Sequence, residues 1–335
     1  MNQPADRLNG RSIGRPSVLV TRRLPASVLE RLRETYDVTV NPDDRSLGRE
    51  GLLAALRSFD ALSPTITDKL DAELLRTPGI RTRIIANFGA GYEHIDLAAA
   101  KSANLVITNT PDALTDATAE LTLLLIMMAS RRAGEGERVI RAGKWTGWAP
   151  TQLLGTDVKG KTLGLVGFGR IAKEAARRAR AALGMRIAYF SRSRASADEE
   201  AALHAEYCPT LAALLAIADV VSLHCPGGEQ TRHLINAQTL ARMKPTSILI
   251  NTARGSVVDE EALANALSQR EIAAAGLDVY EREPVVPHAL TELENVVLLP
   301  HLGSATLEAR TAMGMQMADN LDAFFTGRTP PNRVA

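Results

Sequence analysis

The sequence predicts the α/β class, built on parallel sheets covered by helices on both faces. Three observations carry this prediction. Short apolar runs alternate with segments of helical periodicity from Ser17 to about residue 109. A second alternating series starts at Thr162 and runs to about residue 300. Within that series an apolar run opens into a glycine-rich turn and then a helix, "TLGLVGFGRIA". Strands that alternate with helices make a parallel sheet.

The elements follow in order. "SVLVT" reads as a short buried strand, and "PASVLERLRETY" as a helix with Pro25 near its start. "DVTV" is a strand, "REGLLAALRSF" a helix and "DALS" a strand. "DAELLRT" and "DLAAAKSA" are helices that precede the strands "RTRIIAN" and "LVITN", respectively. A long apolar helix is expected from about Ala117 to Arg132, where "LTLLLIMMA" is too short to span a bilayer. Residues 134–161, with Trp145 and Trp148, read as irregular. The second series continues through "RIAYFSRS", "DVVSLHCP", "SILINTARG", "EEALANALSQ", "AAAGLDVY" and "NVVLLPH", and a last helix is expected over Leu307 to Phe325.

Bulk properties exclude several classes. A chain of 335 residues accommodates two domains. A net charge of +1 and 4% aromatics give no electrostatic or stacking case for nucleic acid or an anionic membrane. Cys208 and Cys225 form no disulfide framework, which suits a reducing cytoplasm. The six histidines show no metal-ligand spacing, so no metal is expected. The polar N-terminus, "MNQPADRLNGRSIGRP", lacks the apolar core of a secretory signal and reads as a loose tail.

The glycine turn has the chemistry of a dinucleotide site. Gly167 permits the tight turn, Gly169 lets backbone approach a pyrophosphate, and the small Ala172 lets helix and strand pack closely. The N–H groups at the start of the new helix then face the phosphates. This is a Rossmann pattern. At the tip of the following strand, where an acid would bond the ribose hydroxyls, stand Ser191, Arg192, Ser193 and Arg194. That substitution favours NADP(H), because hydroxyl and guanidinium donors match a 2′-phosphate.

Three further motifs place ionisable groups just after buried strands: Arg254 in "LINTARGSVVD", Glu283 in "GLDVYEREP" and His301 in "NVVLLPHLGSAT". Ligands of open α/β sheets bind at such strand ends. Arginine can grip a carboxylate and polarise the neighbouring carbonyl. Histidine can deliver a proton as hydride arrives, and a glutamate beside it fixes the tautomer and favours the protonated ring. Together they fit reduction of a 2-keto acid.

With "NFGAGYEHID", "NTPDALTDATAELTLLLIM", "GKTLGLVGFGRIA", "NTARGSVVDEEAL", "AGLDVYEREP" and "LLPHLGSAT", the sequence resembles the D-2-hydroxyacid dehydrogenase family over residues 85–310. The resemblance implies two Rossmann-like or flavodoxin-like parallel-sheet domains with a cleft between them. The substrate-binding domain would be discontinuous, residues 1–109 plus 297–335, with the dinucleotide-binding domain at 110–296. It implies Arg254, Glu283 and His301 as the catalytic triad, and Ala90 and Gly91, with Arg254 and His301, as substrate ligands. The implied cofactor ligands are Thr118, Gly167, Phe168, Gly169, Arg170, Ile171, Ser191, Arg192, Ser193, Cys225, Pro226, Thr252, Ala253, Arg254, Asp278, His301 and Gly303. It further implies a homodimer through residues 113–155, where the tryptophans fit an interface.

Within the family, "SRSR" and the short stretch past His301 make glyoxylate/hydroxypyruvate reductases the nearest resemblance, with NADP(H) preferred and NAD(H) the alternative. Reduction of 2-ketogluconate, pyruvate or an arylpyruvate is a second reading. A nucleotide-sensing, non-enzymatic relative is a third.

Overall fold

The computed structural model describes residues 14–335, so the polar N-terminal segment discussed above lies, but for its last three residues, outside the described residues. The chain divides into two compact units, residues 1–114 with 306–335, and residues 115–305.

The first unit contains β1 (Ser17–Val20), α1 (Ala26–Thr35), β2 (Asp37–Val40), α2 (Gly48–Ser58), β3 (Ala61–Ser63), α3 (Ala72–Leu75), β4 (Ile84–Ala86), α4 (Leu97–Ser102) and β5 (Val106–Thr108). The C-terminal helix, Leu307–Phe325, returns to it. Its five strands are ordered β2-β1-β3-β4-β5, all parallel. Alternation along β1 shows why both faces are covered. Val18 and Val20 pack with Val28, Leu32 and Leu321, while Leu19 packs on the other face with Leu52, Leu56 and Leu74. Residues 333–335 extend this sheet. Thr108 bridges Arg333 in antiparallel sense, the N–H of Val334 donates to the Ile107 carbonyl, and the N–H of Ile107 donates to the Ala335 carbonyl.

The second unit begins with α5 (Thr115–Ser130) and α6 (Ala133–Arg141). It continues with β6 (Thr162–Val166), α7 (Arg170–Leu183), β7 (Arg186–Phe190), α8 (Ala197–Leu203), β8 (Ala205–Tyr207), α9 (Leu211–Ile217) and β9 (Val220–Leu223). Then come α10 (Ala237–Leu240), β10 (Ile248–Asn251), α11 (Glu260–Ser268), β11 (Ala274–Leu277), α12 (His288–Thr291) and β12 (Val296–Leu298). The C-terminal helix of the first unit is therefore α13. The seven strands are all parallel, in the order β12-β11-β10-β9-β6-β7-β8. Sequence order reverses between β6 and β9, which makes that junction the topological switch point where α/β sheets take ligands.

One expectation is corrected. Residues 134–161 are not irregular throughout, because α6 occupies Ala133–Arg141. Gly134 and Gly136 disguise it in the sequence. Arg132 takes a left-handed turn (φ +52°) that separates α5 from α6, and the Glu137–Arg141 pair supports the last turn. No residue of α6 is buried.

Candidate active site

The second unit's predicted site residues stand beyond the carboxyl ends of adjacent strands, apart from Thr118 on α5. Gly167 follows β6, Ser191 follows β7, Cys225 and Pro226 follow β9, Thr252 to Arg254 follow β10, Asp278 follows β11, and His301 lies three residues past β12. Parallel pairing aligns these ends on one edge.

The turn after β6 is tied down on both sides. The N–H of Gly167 donates to the Phe190 carbonyl at 2.8 Å, and the N–H of His224 donates to the Val166 carbonyl at 2.8 Å. Gly167 has φ +90°, and a Cβ there would lie 2.9 Å from the backbone at His224 and Cys225, so only glycine fits. Gly169 is the opposite case. A Cβ on it would meet nothing within 4 Å, which leaves a concave opening at the start of α7. Gly169 is the N-cap of α7 and has no side chain with which to cap the first turn. Ala172 is fully buried, as close packing of helix on strand demands. An open cradle, an uncapped helix terminus and a small third residue fit a pyrophosphate. The side chain of Phe168 turns into the core and stacks on Tyr189, with ring centroids 3.9 Å apart, so backbone is what it can offer a ligand.

The ionisable groups converge further along the edge. His301 Nδ1 lies 2.8 Å from Glu283 Oε2, with the two side chains about one-third exposed. The other Glu283 oxygen accepts from the Tyr280 N–H at 3.1 Å. Burial pushes the Glu283 carboxyl upward, but the His301 contact, the Tyr280 N–H and the nearby Arg254 charge outweigh it and hold the group below its usual range. His301 sits at φ +55°, a left-handed conformation that costs a non-glycine residue about 1 kcal/mol or more. Asp278 over-determines it. The Asp278 carbonyl accepts from the His301 N–H, and its carboxylate accepts from the N–H groups of Leu302 and Gly303 at 2.6 and 2.8 Å. Burial nevertheless raises the Asp278 carboxyl above its ordinary value.

Thr118 joins the same cluster by donating to the Gly303 carbonyl at 3.0 Å, and Thr252 meets Thr122 at 3.1 Å. The loop of Arg254 is fixed by Asn251, whose amide donates to the Arg254 carbonyl at 2.9 Å and whose oxygen accepts from the Ala253 N–H at 3.0 Å. Arg254 Nη1 also donates to the Ala253 carbonyl at 2.7 Å.

Against this geometry stand the relatives. Residues 123–303 match the family described as D-isomer specific 2-hydroxyacid dehydrogenase, NAD binding domain. A glyoxylate reductase of Thermococcus onnurineus is 45% identical over 324 residues, covering 96% of both chains. One from Aeropyrum pernix is 46% identical over 325 residues, again covering 96% of each. The chain belongs to the D-2-hydroxyacid dehydrogenase family. It is accordingly an NAD(P)-dependent oxidoreductase with the family's pair of Rossmann-like parallel sheets. Among solved structures, an NADPH-dependent glyoxylate/hydroxypyruvate reductase of Sinorhizobium meliloti, in complex with NADP and malonate, superposes with a TM-score of 0.84 at 36% identity. The match covers 96% of this chain and 97% of that one.

In this dehydrogenase the basic tip after β7 is less uniform than the sequence implies. Arg194 pairs with Glu200 at 2.8 Å and lies over the Tyr207 ring at 5.3 Å, so its charge is neutralised locally. Arg192 instead hydrogen-bonds the neutral amide of Gln230 at 3.1 Å and is exposed. Ser191 donates to the Ser193 carbonyl. Of the two arginines at the tip, Arg194 is thus paired with a carboxylate and Arg192 is held only by a neutral amide.

Ala90 and Gly91 lie in the first unit, on the turn after β4. Sequence reasoning overlooked Asn87, Asn109 and Asn251, which fix named site loops, and Gln230, which accepts from the Arg192 guanidinium. Asparagine directly after, or closing, a strand was the available signal for the first three. Among the described residues no group of three or more His, Cys, Asp or Glu side chains could hold a metal. None of their helices is long and apolar enough to cross a membrane.

Proposed function

We propose that this dehydrogenase reduces a small 2-keto acid, glyoxylate or hydroxypyruvate, to glycolate or D-glycerate, with NADP(H) as its preferred cofactor. The observation that carries the reading is the His301–Glu283 pair at 2.8 Å, set beside the Arg254 loop on the strand edge that bears the dinucleotide cradle. The names of the relatives at 45% and 46% identity support the substrate.

A bound nicotinamide dinucleotide supplies the hydride. Gly167, Gly169 and the start of α7 would hold its pyrophosphate, with Arg170 and Ile171 in the first turn. Ser191, Arg192 and Ser193 would hold its 2′-phosphate. Cys225, Pro226, Thr252, Ala253, Asp278 and Gly303 line the strand ends, and Thr118 helps through its bond to Gly303. Arg254 grips the substrate carboxylate through its planar fork and polarises the carbonyl. Glu283 holds the His301 ring through Nδ1, leaving Nε2 to carry the proton given to the carbonyl oxygen. The partly exposed ring then regains its proton from solvent.

The second unit is assigned the dinucleotide, and Ala90 and Gly91 of the first are assigned to the substrate alongside Arg254 and His301. A homodimer through residues 113–155 and a cytoplasmic location complete the reading.

Steady-state kinetics test it. With glyoxylate and with hydroxypyruvate, kcat/KM for NADPH is expected to exceed that for NADH by roughly tenfold or more, from one charge-assisted contact. Arg192→Ala should erase most of that margin, and His301→Ala should lower kcat by roughly 10²- to 10⁴-fold. A wild-type preference for NADH overturns the cofactor assignment. Turnover of neither keto acid overturns the substrate.

A further inference from the structure

The turn after β4 is gripped from one side by side-chain amides. Asn87 Nδ2 donates to the Gly89 carbonyl at 3.1 Å and to the Gly91 carbonyl at 2.9 Å. Asn109 Nδ2 donates to the intervening Ala90 carbonyl at 2.8 Å. The Asn87 side chain is fully buried, and its Oδ1 lies 3.0 Å from His94 Nε2. An amide oxygen only accepts, so the His94 ring presents its N–H there and fixes which way the Asn87 amide faces. Asn109 is held in turn. Its N–H donates to the Asn332 carbonyl, and its carbonyl accepts from the fully buried Asn320 amide, both at 3.2 Å.

The consequence is geometric. Across a trans peptide the C=O and the N–H point in opposite directions. Three successive carbonyls, of Gly89, Ala90 and Gly91, are drawn to the amides. The N–H groups of Ala90, Gly91 and Tyr92 therefore face the other way. Among the described residues none of these three N–H groups donates a hydrogen bond to protein. Successive outward N–H groups make a concave site for an anion.

We propose that Asn87 and Asn109 are positioning residues that aim this backbone nest at the substrate carboxylate. The inference rests on the 2-keto acid reading above. Neither side chain touches the substrate; each acts through the carbonyl it holds. Losing a clamp lets a peptide rotate and withdraw its N–H, so carboxylate affinity falls while the hydride chemistry does not.

The test uses the full-length enzyme and the variants Asn109→Ala and Asn87→Leu, the first kept as the milder change in case the second fails to fold. Glyoxylate KM, NADPH KM and kcat are measured, together with the dissociation constant of oxalate, a dicarboxylate that cannot be reduced, by titration calorimetry. We expect glyoxylate KM and the oxalate constant to rise together by roughly tenfold, the equivalent of one charge-assisted contact, with NADPH KM within about twofold of wild type. Oxalate and glyoxylate constants within about twofold of wild type in Asn109→Ala overturn the proposal. So does a parallel rise in NADPH KM, which marks general loosening, or a wild type that does not bind oxalate. A wild type that binds oxalate, loses it in the variants and yet reduces no glyoxylate upholds the nest and brings down the substrate reading instead.

Discussion

At the scale of single residues, the balance at Glu283 sets the pH behaviour. Burial alone would keep this carboxyl protonated further up the pH scale. The imidazole, the Tyr280 N–H and the Arg254 charge overcome that and hold it below the ordinary range. A carboxyl depressed in the fold is ionised at neutral and mildly acidic pH, and its contribution to stability is lost only as pH falls through that lowered value. Glu283→Gln keeps an acceptor for His301 Nδ1 but removes the carboxylate. It is expected to lower kcat/KM for glyoxylate near neutrality by roughly tenfold or more, and to remove the fall in kcat/KM that protonation of Glu283 causes in acid. The full pH profile of wild type and variant checks this. An unchanged acid limb would detach the glutamate from the proton donor.

At the scale of elements, the decisive contact is between two loops. A Cβ at Gly255 would lie 1.8 Å from the Tyr280 carbonyl carbon and 2.2 Å from the Glu281 nitrogen. Backbone cannot retreat as a side-chain tip can, so this glycine sets how closely the Arg254 loop approaches the Glu283 loop. Gly255→Ala should cost roughly 2–4 kcal/mol of stability and reduce kcat/KM at least about tenfold. Urea unfolding midpoints alongside kinetics measure both, and a variant indistinguishable from wild type would show that the loops slide freely. The sequence made Gly255 readable only as part of a motif, since the partner it touches is distant along the chain. The same limit explains what else was read or missed. Strands β1, β6, β9 and β10 are wholly buried and announce themselves as apolar runs. Helix α13 was placed at its observed Leu307–Phe325 bounds because periodicity spans all of it. Strand β8, three residues with Glu206 exposed, and the four-residue helices α10 and α12 are too short to show a period. The Arg194–Glu200 pair needed the turn geometry before the basic tip could be divided into a neutralised and a presented cation.

At the scale of the whole molecule, the chain divides at 114/115 and 305/306. The second boundary has a clear cause. Strand β12 is laddered to β11, and the N–H groups of Leu302 and Gly303 are bound by Asp278, so the segment carrying His301 stays with the dinucleotide sheet. That sheet's unit also displays the most exposed apolar surface. Trp148 is 82% exposed and Trp145 53%, and Ile140, Leu154 and Leu124 stand out in solvent with them. Large apolar side chains left in solvent suit the homodimer proposed above. On that proposal, light scattering after size exclusion should give twice the mass of 36.0 kDa. The double variant Trp145→Glu, Trp148→Glu should shift the species toward one copy. A wild type that stays at one copy at tens of micromolar would refute the assignment.

The antiparallel stitch between residues 333–335 and β5 reaches further than its length suggests. Asn332, just before it, accepts from the N–H of Asn109, whose side chain holds the Ala90 carbonyl. A substitution at Arg333 or Val334 that loosens the stitch thus acts at two hydrogen bonds' remove from Ala90. A change in this remote segment is expected to register in anion affinity before it registers in hydride chemistry.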